Sequence, residues 1–456
     1  IKMVLAMRHG VLPKTPHAGT PSPHIDWSAG DLRLLTEPTA WPADRPRRAA
    51  VSSFGVSGTN AHVILEHVPA ADPRPYAGQA PVTGALPWIV SARGADALRA
   101  RARQLGSRVA EPVDVGFSLA TTRSGLPYRA VVIGEDRLPE GLDAVARHED
   151  APNVVTGVVA ESGGTAFVFP GQGAQWAGMA ELASSSPVFA RRLADCAHAL
   201  APHVDWSLRD VLTDETALRR VDVVQPALWA VMVSLAEVWR ACGVQPDVVI
   251  GHSQGEIAAA CVAGALSLED GARIVALRGL ALAELSGSGG MMAVALSADE
   301  VAPRLGGLAV AAVNGPASVV VSGAVSELDR LAEELASEGV WAKRLPVDYA
   351  SHSARVERVR ERIIRDLEPI APLPGSVPMI STVTGEPIDT EELTAEYWYA
   401  NLRHPVVFDG AIMAALGRRC RAFIEMSPHP TLTSATTDIV GGAASVVGTL
   451  RRDDGG

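Results

Sequence analysis

A serine stands in "PDVVIGHSQGEIAAACVAG", the stretch from Pro246 to Gly264. The apolar run Val248–Ile250 breaks at Gly251, and an alanine-rich run follows Gly255. Strand, sharp turn and helix would hold Ser253 out at a helix N-terminus as a nucleophile. The next amide, that of Gln254, would then face a developing oxyanion. A glycine-rich turn with a capping serine gives the same letters; the flanking strand and helix favour the nucleophile. A second oxyanion donor must come from another loop. Gly171-Gln172-Gly173, after the strand Ala166–Phe169, is the candidate, because glycines let backbone approach a ligand closely. Alone, that triplet reads as a turn.

A serine nucleophile needs a base. Among 12 histidines, His352 in "VDYASHSARVE" sits where the chain leaves one strand-rich segment and re-enters the main α/β pattern. A side chain there can face the cleft between the two parts, although a lone histidine is also a common surface or capping residue. His252 adjoins the serine and is expected to be held by the turn. His404 and His429 lack a comparable context. An acid to orient the base is hard to find: Asp299 and Asp329 fall in predicted helices, and Asp348 is too near His352 in sequence. A backbone carbonyl could do the same work.

The helix after the serine carries the discriminating residue. Ile274, Leu277 and Ala281 share an apolar face, and Arg278 stands on it, whereas Arg273 has ion-pair spacing to Glu269. An inward guanidinium wants an anion. That anion is either an internal carboxylate or the carboxylate of a substrate, gripped by two parallel hydrogen bonds. A hydrolase of ordinary esters needs no such arginine.

The elements that must position these groups follow a readable order. A Pro-rich start and "RRAAVSSFGVSGTNAHVILEH" occupy residues 1–67, with too little apolar sequence for a good core. Residues 68–160 open on a Pro/Gly/Ala-rich linker and continue as a small α/β unit. From residue 161, strands alternate with helices, which predicts a mainly parallel, hydrolase-like sheet covered on both faces. Within it, residues 291–347 read β-α-β-β-α-β, a ferredoxin-like insert. The α/β pattern resumes over 348–440, and residues 441–456 are expected to begin a further linker.

Bulk properties narrow the classes. Net charge is −11, so no basic footprint points to nucleic acid or to an anionic membrane. No uninterrupted apolar run predicts a membrane span. The four cysteines, Cys196, Cys242, Cys261 and Cys420, are scattered and read as reduced thiols of a cytoplasmic protein. "IKMVLAMRHGVLPKT" is too short in its apolar part for a signal peptide, and both ends read as cut from something longer.

"FVFPGQGAQWAGM", "GHSQGEIAAACVAGALSLEDGARIVALR", "AVNGPASVVVSG" and "YASH" together resemble the acyltransferase domain of modular type I polyketide synthases. "SSFGVSGTNAHVILE" resembles the C-terminal end of a ketosynthase domain, residues 68–160 the linker that follows it, and "VVGTLRRDDGG" the start of the post-acyltransferase linker. The ketosynthase nucleophile and histidines would lie before Ile1, so no condensation activity is expected.

The resemblance implies Ser253 as the acylated nucleophile, His352 as its base, and Arg278 as the grip on an extender carboxylate. It implies the Gln172 and Gln254 amides as oxyanion hole, with Asn314, Tyr349, Ala350 and Ser351 about the acyl pocket. It places the carbonyl that orients the histidine in "RHPVVF", at Val407. No metal or bound cofactor is implied. The substrate would be an acyl-CoA, the acceptor a phosphopantetheine thiol on an acyl carrier protein, and the other partner the ketosynthase. "RVDVVQ" (Arg220–Gln225), "GHSQG" and "YASH" resemble the (2S)-methylmalonyl type; malonyl-type relatives carry "HAFH" at the last site. Malonyl- or ethylmalonyl-specific acyltransferases, a serine hydrolase or editing thioesterase of the same fold, and an inert docking fragment are the alternatives.

Overall fold

The computed structural model describes residues 1–42, 44–68, 86–106, 111–134, 136–159 and 162–452. Most of the expected Pro/Gly/Ala-rich linker therefore lies outside the described residues. The chain divides into two compact units, Ile1–Val82 and Thr83–Gly456.

In the first unit, Arg48–Phe54 and Asn60–Glu66 form an antiparallel hairpin, with Ala50 facing Ile64 and Val51 facing Val63. Val51, Phe54, Val63 and Ile64 are exposed, and Ala6 and Met7 are the buried hydrophobic residues among those described. The expectation of a poor core holds here.

The second unit begins with a three-stranded antiparallel sheet, Pro87–Ala92, Tyr128–Ile133 and Val154–Val158. Alternation sets one face of it inward: Trp88, Val90 and Ala92 are buried, with Ala130 and Val132 from the next strand. Helices Ala95–Gly106 and Leu138–Arg147 supply Leu98, Ala102, Leu142 and Val145 to the same core.

The main sheet has six strands, ordered Pro387–Ile388, Met379–Ile380, Val248–Gly251, Gly164–Phe169, Cys420–Glu425 and Ser445–Gly448. All pairings are parallel except that of the Pro387–Ile388 edge. Both faces are dry, as a parallel sheet requires. Phe167, Phe169 and Val249 point into one core; Ala166, Val168, Val248 and Ile250 point into the other. The segment expected to open the next linker thus supplies an edge strand, because "SVVG" alternates against Ala422–Glu425.

By length and composition the helix Val221–Ala241 could cross a membrane, but 78% of its apolar window is buried within the protein, the situation of a core helix. Trp229, Met232 and Leu235 are among its fully buried side chains.

The insert is ferredoxin-like. Its strands run Ala342–Arg344, Gly290–Val294, Ser318–Gly323 and Ala309–Gly315 across an antiparallel sheet. A fifth strand, Val406–Val407, joins in parallel beside Ala312 and Val313. That short pairing ties the insert to the larger subdomain, beside the cleft. Strand order in the main sheet reverses between Gly164–Phe169 and Cys420–Glu425, so loops at their carboxyl ends diverge and leave a crevice.

Candidate active site

The turn after Val248–Gly251 holds Ser253 at φ +54°, a left-handed conformation that a side chain rarely takes. Two glycines make it possible. A Cβ on Gly251 would overlap the Glu256 backbone, and one on Gly255 would overlap the Phe169 and Pro170 carbonyls. The helix Gly255–Ala263 therefore starts hard against the sheet, with Ser253 at its mouth.

The Ser253 hydroxyl donates to His352 Nε2 at 2.8 Å. His352 Nδ1 lies 2.7 Å from the His404 carbonyl oxygen. A carbonyl only accepts, so the proton sits on Nδ1 and leaves Nε2 free to take the serine's. Burial and the nearby Arg278 charge depress the His352 pKa to about 3, against the pull of the His404 carbonyl. The imidazole is neutral at ordinary pH, with Nε2 free to accept.

The orienting carbonyl belongs to His404 and not to Val407. His404 caps the helix Ala395–Arg403 with extended backbone, and Pro405 follows. The helix must end before a proline, which turns this carbonyl out of the helical ladder. Val407 is committed elsewhere: its N–H donates to the Thr382 carbonyl at 2.6 Å, and it pairs with Val313. Asp348 accepts a hydrogen bond from Ser286, and His429 Nδ1 accepts from the Arg452 N–H; neither is bonded to His352 or Ser253. His252 is half-buried, 2.8 Å from Asn314 Oδ1 through Nε2, and stacks obliquely on Phe408 at 5.6 Å.

Arg278 is only 2% exposed. Its Nη2 donates to Ser253 Oγ at 3.3 Å, while Nε and Nη1 have no protein partner. Among the described residues no carboxylate forms an ion pair with it, so the internal-carboxylate reading of this arginine is not met. Burial lowers its pKa to about 10, leaving it charged. Arg273, expected to pair with Glu269, donates to the Asp366 carbonyl instead.

These groups line one cavity of about 320 Å³. Gln172 and Gln254 both border it, and among the described residues neither backbone N–H has a protein acceptor. Gly171 packs beside them: a Cβ there would touch the His252 carbonyl and ring. The Tyr349 hydroxyl donates to Gln172 Oε1 at 2.9 Å, and burial pushes its pKa up to about 12. Ser351 donates to Met291 Sδ at 3.3 Å, and its carbonyl accepts from Ser322. Ala350 is fully buried behind this wall.

Sequence reasoning did not find several contributors. Gln225, named only as the end of "RVDVVQ", borders the cavity with its Oε1 unpaired, and Gln254, named for its amide, adds two unpaired side-chain polar atoms. Asn401 donates to the Ser253 carbonyl at 3.2 Å. The unpaired polar atoms beside an apolar lining were detectable only in three dimensions.

A strained serine, a neutral histidine held by a carbonyl, and a guanidinium without a carboxylate partner converge on one cavity. Residues 166–456 match the family described as "Acyl transferase domain", and residues 21–133 match "Ketoacyl-synthetase C-terminal extension". The chain belongs to the acyl transferase domain family, in the form found in modular polyketide synthases. It is 52% identical over 497 residues to polyketide synthase GfsB of Streptomyces halstedii, covering 100% of this chain and 9% of that protein. The chain thus spans a small part of that relative's length. The acyltransferase domain from module 8 of the salinomycin polyketide synthase superposes with TM-score 0.79 at 52% identity, covering 82% of this chain and 92% of that one. The malonyl CoA-acyl carrier protein transacylase of Coxiella burnetii does so with TM-score 0.59 at 27% identity, covering 63% and 94%.

Proposed function

We propose that this protein moves a (2S)-methylmalonyl unit from coenzyme A to Ser253, and then to the phosphopantetheine thiol of an acyl carrier protein. The observation that supports this reading most is Arg278, a buried cation with two unpaired nitrogens within reach of the Ser253 hydroxyl. Such a group discriminates acids from simple acyl chains.

In the first half-reaction His352 Nε2 takes the Ser253 proton as Oγ attacks the thioester carbonyl. The Gln172 and Gln254 amides receive the oxyanion. Collapse breaks the C–S bond, and the imidazolium returns its proton to the departing CoA sulfur. In the second, His352 takes the proton of the carrier thiol, whose sulfur attacks the Ser253 ester; the proton then returns to Ser253. Steric room supports the methyl branch: Ser351 and Met291 wall the cavity where a phenylalanine would fill it. One methyl is worth only about 1–3 kcal/mol, so the selection is expected to leak. Cys196, Cys242, Cys261 and Cys420 are all free, which supports a cytoplasmic setting.

The test is to supply methylmalonyl-CoA and a carrier protein bearing phosphopantetheine. The acyl group is expected on the carrier thiol, and none with Ser253→Ala. Free methylmalonate in its place would identify a hydrolase.

A further inference from the structure

Glu256 lies in the first turn of the nucleophile helix and is fully buried. A carboxyl group in that position needs partners. Its Oε1 accepts from the Thr382 N–H at 2.5 Å and lies 2.6 Å from Thr382 Oγ1; its Oε2 accepts from the Tyr397 hydroxyl at 2.5 Å. None of these three residues lines the cavity.

Their further bonds run in two directions. Thr382 Oγ1 is 2.8 Å from the Gly251 carbonyl, at the end of the nucleophile strand. The Thr382 carbonyl accepts from Val407 N–H at 2.6 Å, on the segment that follows His404. Tyr397 belongs to the helix Ala395–Arg403, whose Asn401 donates to the Ser253 carbonyl. The same helix offers the Leu402 carbonyl to the His352 N–H at 2.9 Å and ends at the His404 carbonyl. One carboxyl group thus stands between the arm that presents the serine and the arm that orients its base.

We propose that Glu256 is a positioning residue that sets the Ser253–His352 distance by tying these two arms together. The proposal rests on the reading of Ser253 as the acylated nucleophile.

Rapid-quench intact-mass measurement of the full chain tests it, following Ser253 acylation over a range of methylmalonyl-CoA concentrations. For Glu256→Gln, which cannot accept from both partners, the saturating rate constant is expected to fall about 10- to 100-fold, as an ångström-scale misplacement does. The half-saturating concentration should move less than about 3-fold, because Arg278 makes no hydrogen bond to Glu256, Thr382 or Tyr397 and feels Glu256 only through its charge. The final acylated fraction should match the parent. Tyr397→Phe and Thr382→Val remove one hydroxyl each and are expected to cost about 3- to 10-fold in the same rate constant. They decide the question if Glu256→Gln does not fold. Variants that acylate at the parent rate, or that lose acylatable fraction and melting temperature with an unchanged rate constant, would overturn the proposal. An unmodified parent chain would instead overturn the acyl-transfer reading itself.

Discussion

At Arg278 the protein keeps a buried guanidinium short of partners, and the expected consequence is selectivity for acids. Removing one member of a buried, hydrogen-bonded charge pair costs several kcal/mol. Arg278→Ala should therefore slow Ser253 acylation by methylmalonyl-CoA about 100-fold or more. Propionyl-CoA, which lacks the carboxylate, should lose little. Comparing the two rates by intact mass checks this; equal losses would contradict it.

His352 gives a second prediction at this scale. Its pKa is depressed to about 3, so the imidazole stays neutral far below the usual histidine range, as the proposed role of base requires. The kcat/KM for acylation should stay flat from about pH 8 down to about pH 5, with no fall near the ordinary histidine value. The same burial has a stability sign. An unfolded chain binds this proton below about pH 6.5 and the folded one does not, so stability declines as pH drops from there toward 3. The placement was largely legible from residue types: Ser253, His352 and Arg278, singled out by their side chains, come together at one cavity. The His404 carbonyl was not: a backbone oxygen leaves no mark on residue identity, and only the helix end and Pro405 expose it.

At the scale of elements, the strand–turn–helix unit holds Ser253 in its left-handed conformation. Gly255→Ala would force a methyl into the Phe169 and Pro170 carbonyls. It should lower stability by about 1–3 kcal/mol, or more because backbone must move, and should abolish fast acylation. Thermal denaturation and the acylation assay together check it. The insert lends Met291, Ala312 and Asn314 to the cavity lining, and Ser351, just after the insert, bonds to Met291 across it. Ser351→Phe should shift the methylmalonyl-to-malonyl preference by about 10-fold or more toward malonyl. Competition between the two thioesters reads this ratio; an unchanged ratio would place the selecting wall elsewhere. The insert's β-α-β-β-α-β order was legible because its strands and helices alternate in period. The Val406–Val407 pairing was not, since two residues show no periodicity. Glu256 was equally hidden: its partners Thr382 and Tyr397 lie more than a hundred residues away, and only the fold brings them together.

On the scale of the whole molecule, every residue of the candidate site lies within Thr83–Gly456. The hairpin of the first unit exposes Phe54, Val63 and Ile64 and contributes nothing to the cavity. A chain without residues 1–82 should acylate within about 2-fold of the full rate, as an independent unit with its own cores would. A loss of about 10-fold or more would show that the first unit shapes the site.

The central claim is that Ser253 accepts a branched, carboxylate-bearing acyl group. Its most direct test is intact-protein mass after incubation with methylmalonyl-CoA and malonyl-CoA in competition, beside Ser253→Ala. A dominant methylmalonyl adduct, absent in the variant, is the expected result. A dominant malonyl adduct would overturn the specificity, and an adduct that persists in Ser253→Ala would contradict the account at its centre.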